Sequence, residues 1–190
     1  MNPDSRTGQD SSLADIMEAG SRDFRRQSIE QGSDLSLWTK LYVANQTMLS
    51  ALQQRRMSEA LVEICSNLLG CEELAIIEIN RETGKVQFVT VEGLQKEKTD
   101  FVASNGRQVE GRISPGNPYV CADPESTIES ELVDSGISAI VPLWVDVRSS
   151  GALILFQLLP QRSGFDAEDR EVLNLLSIFA GPCLRSQRRD

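Results

Sequence analysis

Four cysteines, Cys65, Cys71, Cys121 and Cys183, are the residues of this 190-residue chain with the greatest scope for nucleophilic or metal chemistry, and no histidine accompanies them. None of the four forms a CxxC pair, so the spacing writes neither a zinc site nor a disulfide framework. The missing imidazole removes Ser-His-Asp and Cys-His catalysis, His-ligated haem, His-based metal sites and a phosphoaccepting His together. Cys65 and Cys183 fall in apolar helical patterns, where a reduced, structural thiol is expected. Cys71 and Cys121 remain to be weighed. A nucleophilic thiolate needs a nearby cation or a helix N-terminus, whereas Cys121 leads into Asp123 and Glu125. From Cys121 to Gly136 the charged residues are Asp123, Glu125, Glu129, Glu131 and Asp134, with no Lys or Arg among them. Such a surface raises the cost of bringing in an anion, and as a solvated helix face it needs no ligand role.

The formal net charge of −9 argues against nucleic-acid binding through phosphate neutralisation. The basic clusters Arg25-Arg26, Arg55-Arg56 and Arg188-Arg189 are short and scattered, as solvated faces or tails are. Met1 to Arg6 lacks the basic and apolar blocks of a signal peptide, and no apolar run approaches membrane-spanning length, so the expectation is a cytoplasmic protein without a membrane segment. Residues 1–34 read as a flexible arm. The alternative is a short amphipathic helix around Ser12 to Ile29, using Leu13, Ile16 and Met17 and interrupted by Gly20.

The elements that would position any site are legible from periodicity. Leu35, Trp38, Leu41, Tyr42, Met48, Leu49 and Leu52 recur at helical spacing, so 35–57 reads as a long amphipathic helix. Leu61, Ile64, Cys65, Leu68 and Leu69 mark a second helix that Ser58 could cap and Gly70 would end, the alternative being one bent helix over both stretches. Leu74 to Ile79 and Val86 to Val91 read as strands of a hairpin turned at Arg81 to Lys85. Gly136 to Val145 and Ala152 to Phe156 form a buried hairpin around a turn at Arg148 to Gly151, with Ile140 and Leu153 expected toward the helix layer. Asp166 opens a last helix, with acids in its first turn, and Gly181-Pro182 should kink or end it.

This order of elements resembles a GAF domain, the small-molecule sensor module of signalling proteins, over about the last three quarters of the chain. The resemblance implies an α+β, PAS-related fold for 58–190. It has a central antiparallel sheet, helices on one face and pocket loops on the other, preceded by the long helix. Glu92 to Asn117 would then carry a short strand and connections beside the pocket. Tyr119, Cys121, Asp123, Ile128 and Leu132 become the candidate pocket residues. Trp38, Leu41, Tyr42, Met48, Leu49 and Leu52 become a homodimer seam. Without His, the bilin attachment of phytochrome-type relatives is excluded, and the Asn-Lys-Phe-Asp-Glu set of cyclic-nucleotide binders has no place here. Free methionine sulfoxide reductase, the enzymatic branch, uses resolving cysteines that have no counterpart between Glu92 and Val120. The expected function is therefore a non-enzymatic, stand-alone homodimeric sensor or adaptor without cofactor or metal. It would act on a signalling partner of a two-component or second-messenger system. A sensor of an unidentified small molecule and the cysteine-dependent reductase are the alternatives.

Overall fold

The computed structural model describes residues 36–120 and 135–188. The chain divides after Thr39 into two units. Of the first, only helical residues 36–39 are described, with Trp38 on the surface, and the expected arm 1–34 lies outside the described residues. The second unit opens with helix α1, residues 40–54, whose apolar residues divide into two stripes. Ala44, Met48 and Ala51 are buried and Leu41 is half-buried, as a seam facing the protomer's own core demands, while Tyr42, Leu49 and Leu52 face outward. Arg55 adopts a left-handed φ of 57° and breaks the helix from α2, Met57–Asn67. Arg56, not Ser58, occupies the N-cap of α2, because the fully buried Met57 already belongs to its first turn. Gly70, at φ 63°, reverses the chain after α2, and Cys71 donates its N–H to the Cys65 carbonyl at 3.0 Å.

Strands β1 (Leu74–Asn80), β2 (Val86–Glu92), β3 (Tyr119–Val120), β4 (Ala139–Val145) and β5 (Ser149–Leu155) form one antiparallel sheet in the order β2-β1-β5-β4-β3. The β1–β2 turn is locked by the Asn80 side-chain oxygen, which accepts the N–H groups of Glu82 and Thr83 at 3.1 and 2.9 Å. The β4–β5 turn falls earlier than its Ser-Ser-Gly composition predicts. Asp146 accepts the N–H groups of Arg148 and Ser149 at 2.9 and 2.7 Å, so Ser149 already starts β5. Those two bonds hold the exposed Asp146 carboxyl below its ordinary pKa.

Both faces of the sheet are covered, which is why β4 and β5 read as continuous apolar runs. Leu74, Ile76, Val141, Leu143, Leu153 and Leu155 pack with α1, α2 and the last helix, α5 (Ala167–Arg188). Ala75, Ile77, Ile79, Ile140, Ala152, Ile154 and Phe156 form the second core. The second core is closed by two short helices, α3 (Lys96–Ser104) and α4 (Gly106–Glu110), through Val102 and Val109, where the sequence predicts a short strand and connections. Too few apolar residues mark their period for it to be legible. The register pairs Ile140 with Ile154 and Val141 with Leu153, so Ile140 faces the second core and only Leu153 faces the helix layer.

Helix α5 runs unbroken through Gly181 and Pro182. Leu143 is the extra residue of a bulge in β4, between Pro142 paired with Ala152 and Trp144 paired with Gly151. The backbone of α5 lies so close that a Cβ on Gly181 would overlap the Leu143 carbonyl. Pro182 is exposed, so its ring meets water and the helix forgoes only one N–H bond. At the other end of α5, Asp166 and Asp169 cap reciprocally, with Asp169 N–H donating to Asp166 at 2.8 Å and Asp166 N–H to Asp169 at 3.1 Å. The Asp169 carboxylate is fully buried and also accepts Lys40 Nζ at 3.1 Å and Arg162 Nη2 at 2.7 Å. Burial works to lower the Lys40 pKa, but its bonds to Glu168 and Asp169 prevail and raise it.

Asp169→Asn leaves two cations without their shared carboxylate and should cost about 3 kcal/mol in urea unfolding. Gly181→Ala should cost about 1–3 kcal/mol through overpacking. Gly111→Ala, whose Cβ would find ordinary 3.5 Å contacts, should stay near wild type.

Candidate functional site

The second face of the sheet is where the sequence places a ligand, so the chemistry of its lining and rim decides what it can do. Its floor is apolar, from Ile77 and Ile79 across Ala152 and Ile154 to Phe156. Phe88, Phe101 and Tyr119 pack around it, half-buried. Alternation along four strands builds this floor, and the α3–α4 pair can settle on it because Gly106 lies directly against the Gly84 carbonyl, where no side chain would fit. Tyr119 sits at the edge with the Arg112 guanidinium 5.3 Å over its ring. The Ser150 hydroxyl is buried and has no hydrogen-bond partner among the described residues.

At the other end of the layer a charged pair meets a thiol. Lys98 from α3 pairs with Glu73 just before β1, and its ammonium lies 5.7 Å over the Phe156 ring. The Cys71 thiol is directed at the Glu73 carbonyl, 3.3 Å away, with the Phe156 carbonyl at 3.8 Å. Burial pushes the Cys71 pKa up to about 11, against a lowering from its backbone bonds and from Lys98. Burial likewise holds the Cys65 thiol far above its ordinary value and raises that of Cys183. All three are thiols at neutral pH, the form that neither attacks nor binds metal. Among the described residues no cluster of carboxylates and thiols is placed to hold a metal ion.

Of the candidate pocket residues, Tyr119 lies against the second core. Cys121, Asp123, Ile128 and Leu132, with the acidic stretch around them, lie outside the described residues. Of the candidate seam, Tyr42, Leu49 and Leu52 are exposed in α1, Trp38 is exposed in the first unit, and Leu41 and Met48 are taken up by the protomer's own core. Sequence reasoning missed the Glu73–Lys98 pair, which joins residues far apart in the chain and leaves no local signal. It also missed a polar cleft of about 630 Å³ at the turn end of the sheet. That cleft does carry a signal, since Glu78 and Asn80 in β1 and Lys85 and Gln87 beside them occupy alternate positions.

No family model matches the sequence, and no curated protein matches it. Solved structures do. The chain is similar to a GAF domain from Pseudomonas syringae pv. tomato at 20% identity and a TM-score of 0.50, over 87% of this chain and 94% of that one. It is similar to the GAF domain of a phosphoenolpyruvate-protein phosphotransferase from Coxiella burnetii at 16% identity and a TM-score of 0.51, over 80% and 96%. CepR2 of Burkholderia cenocepacia, an N-acylhomoserine lactone dependent LuxR family transcription factor, aligns at 17% identity and a TM-score of 0.54, over 80% and 99%. At these identities the likeness is one of fold, and the fold is GAF-like, as the order of elements in the sequence implies.

The thiol chemistry is testable. Alkylation of Cys71 by iodoacetamide should be negligible at pH 7, where a pKa of about 11 leaves a thiolate fraction on the order of 10⁻⁴. It should accelerate steadily as pH rises toward that value. Mass spectrometry showing prompt modification of Cys71 in the folded protein at pH 7 would contradict this account.

Proposed function

We propose that this chain is a non-enzymatic regulatory module, a cytoplasmic sensor or adaptor that works as a homodimer through protein–protein contacts. The observation that carries the reading is the outward stripe of α1. Tyr42, Leu49 and Leu52 are 66%, 48% and 41% exposed, although the same helix has already spent Ala44, Met48 and Ala51 on its own core. A monomer gains nothing from a second apolar stripe on one helix. A second copy offers the same uncharged surface, which a twofold axis makes self-complementary. Helix α5 stands in the same layer and exposes Ile178 and Phe179, so pairing of both helices with their copies would build a bundle of four.

The GAF-like fold supports a regulatory role, since two of the proteins that share it bear GAF domains and a third is a ligand-dependent transcription factor. The neutral thiols Cys65, Cys71 and Cys183 weigh against cysteine-dependent reductase chemistry at those three positions. Among the described residues, no helix is long and apolar enough to cross a membrane. An output to a partner in a two-component or second-messenger system is consistent with α5 continuing as a helix to Arg188, because a continuous helix can pass a displacement along its axis.

Sedimentation at micromolar concentration tests the pairing. The intact chain should run as a dimer, and Leu49→Glu with Leu52→Glu should run as a folded monomer, because a charge in an apolar seam has no partner there. These two positions are preferred to Leu41 and Met48, whose substitution would also damage the protomer core. A monomeric intact chain would refute the proposal.

A further inference from the structure

The two faces of the sheet are joined around the end at which both hairpins turn. On the second face, α4 is tied to the β1–β2 turn by two arginines that run in opposite directions. Arg81 of the turn donates Nε to Glu110 Oε1 of the helix at 3.0 Å, and Arg107 of the helix donates Nη2 to the Glu82 carbonyl at 2.7 Å. With Gly106 pressed against the Gly84 carbonyl as well, helix and turn move together. The same Arg81 crosses to the other hairpin, its N–H donating to the Arg148 carbonyl and its Nη1 to the Asp146 carbonyl, both at 2.9 Å. From there the connection reaches α5, which packs on the first face, because Arg185 Nη2 lies 2.9 Å from Asp146 Oδ2.

An isolated ion pair at the surface contributes little, and both pairs here are partly exposed. Their arrangement is what adds to them. Asp146 Oδ1 accepts the N–H groups of Arg148 and Ser149, so the carboxylate that meets Arg185 is already fixed in place. The planar guanidinium of Arg81 spends Nε on a carboxylate and Nη1 on a carbonyl, so one side-chain position serves both. The receiving end of α5 is sensitive to such a tie. Pro182 has no N–H to bond the Ile178 carbonyl, which weakens the helix where its last turns begin. Leu184 in the first core and Arg185 on Asp146 secure the turn that follows.

We propose that Arg81 is the positioning residue of a conformational relay. The seating of α4 on the second face sets, through Arg81 and the turn at Asp146, how firmly α5 stays helical beyond Pro182. Calling the relay a signal rests on the regulatory reading above, which uses α5 for output, whereas the coupling itself does not. The route runs around the sheet and is particular to α4. Helix α3 closes the same second core through Val102, but Lys98 ties it to Glu73, at the end of β1 opposite both turns.

Hydrogen exchange of the full chain, read by mass spectrometry at fixed pH and ionic strength, tests the coupling. Glu110→Ala should speed exchange of amides 183–188 about twofold to fivefold, although Glu110 stands in α4. Arg81→Met should speed them at least as much, and adding Glu110→Ala to it should change them no further. Lys98→Met, which loosens α3 instead, should leave 183–188 at the wild-type rate. Unchanged exchange in β1 and β5 shows that each variant is folded. Wild-type exchange at 183–188 in folded Glu110→Ala, an equal effect of Glu110→Ala with and without Arg81, or an equal effect of Lys98→Met would each overturn the proposal. Sedimentation of the same variants keeps this result apart from the pairing of copies, since the relay can fail in an intact dimer and can hold in a monomer.

Discussion

Burying a carboxylate costs several kcal/mol unless cations and N–H donors meet it, and Asp169 is met from three directions. Lys40 comes from α1, Arg162 from the connection after β5, and the Asp166 N–H from the cap of α5 itself. Arg162 also reaches the Leu68 carbonyl at the end of α2, at 3.3 Å. Three helices that meet the sheet through non-directional apolar contact are thereby given one relative position, since hydrophobic burial alone fixes area and not rotation. The rotation of α1 matters most. With Lys40 held at Asp169, Ala44, Met48 and Ala51 must face inward, and Tyr42, Leu49 and Leu52 must face water.

The opposite end of α5 is set by sterics instead of charge. The bulge at Leu143 pushes a carbonyl out of the β4 ladder, and Gly181 lets the helix backbone come down upon it. A similar fit recurs one pair along, where the Trp144 indole covers Gly151 so closely that no side chain could stand there. Helix α5 is therefore anchored ionically at its start and by close packing near its end. A shift in β4, or in the turn that carries Asp146 against Arg185, must move α5 as a body.

How much of this is legible in the sequence depends on the range of the signal. The two hairpins and the last helix are local, written in alternation, in turn residues and in the Asp166 cap, and they stand where the sequence puts them except at the start of β5 and the end of α5. Helices α3 and α4 carry few apolar residues, with only Val102 and Val109 fully buried among their side chains, so their period is lost in polar surroundings. Ile140 is misread because a strand buried on both faces has no polar residue to mark which side is which, and only the register with Ile154 decides it. Gly181-Pro182 reads as a stop because proline rules are local. The contact that keeps α5 straight, with Leu143, comes from a strand far earlier in the chain.

The candidate site divides along the same line. A stripe of apolar residues is visible at once in residues 35–57, yet periodicity does not separate the part that serves the protomer from the part left over. That separation is set by Lys40, a residue outside the stripe, acting on a carboxylate far away in sequence. The polar cleft is hidden for the converse reason. Glu78 and Lys85 read as ordinary solvated positions of a hairpin until β5 is laid beside β1 and Arg148 joins them. In both places the surface is written by contacts between residues far apart in the chain, the stripe by the ionic anchor of α1 and the cleft by the pairing of β5 with β1.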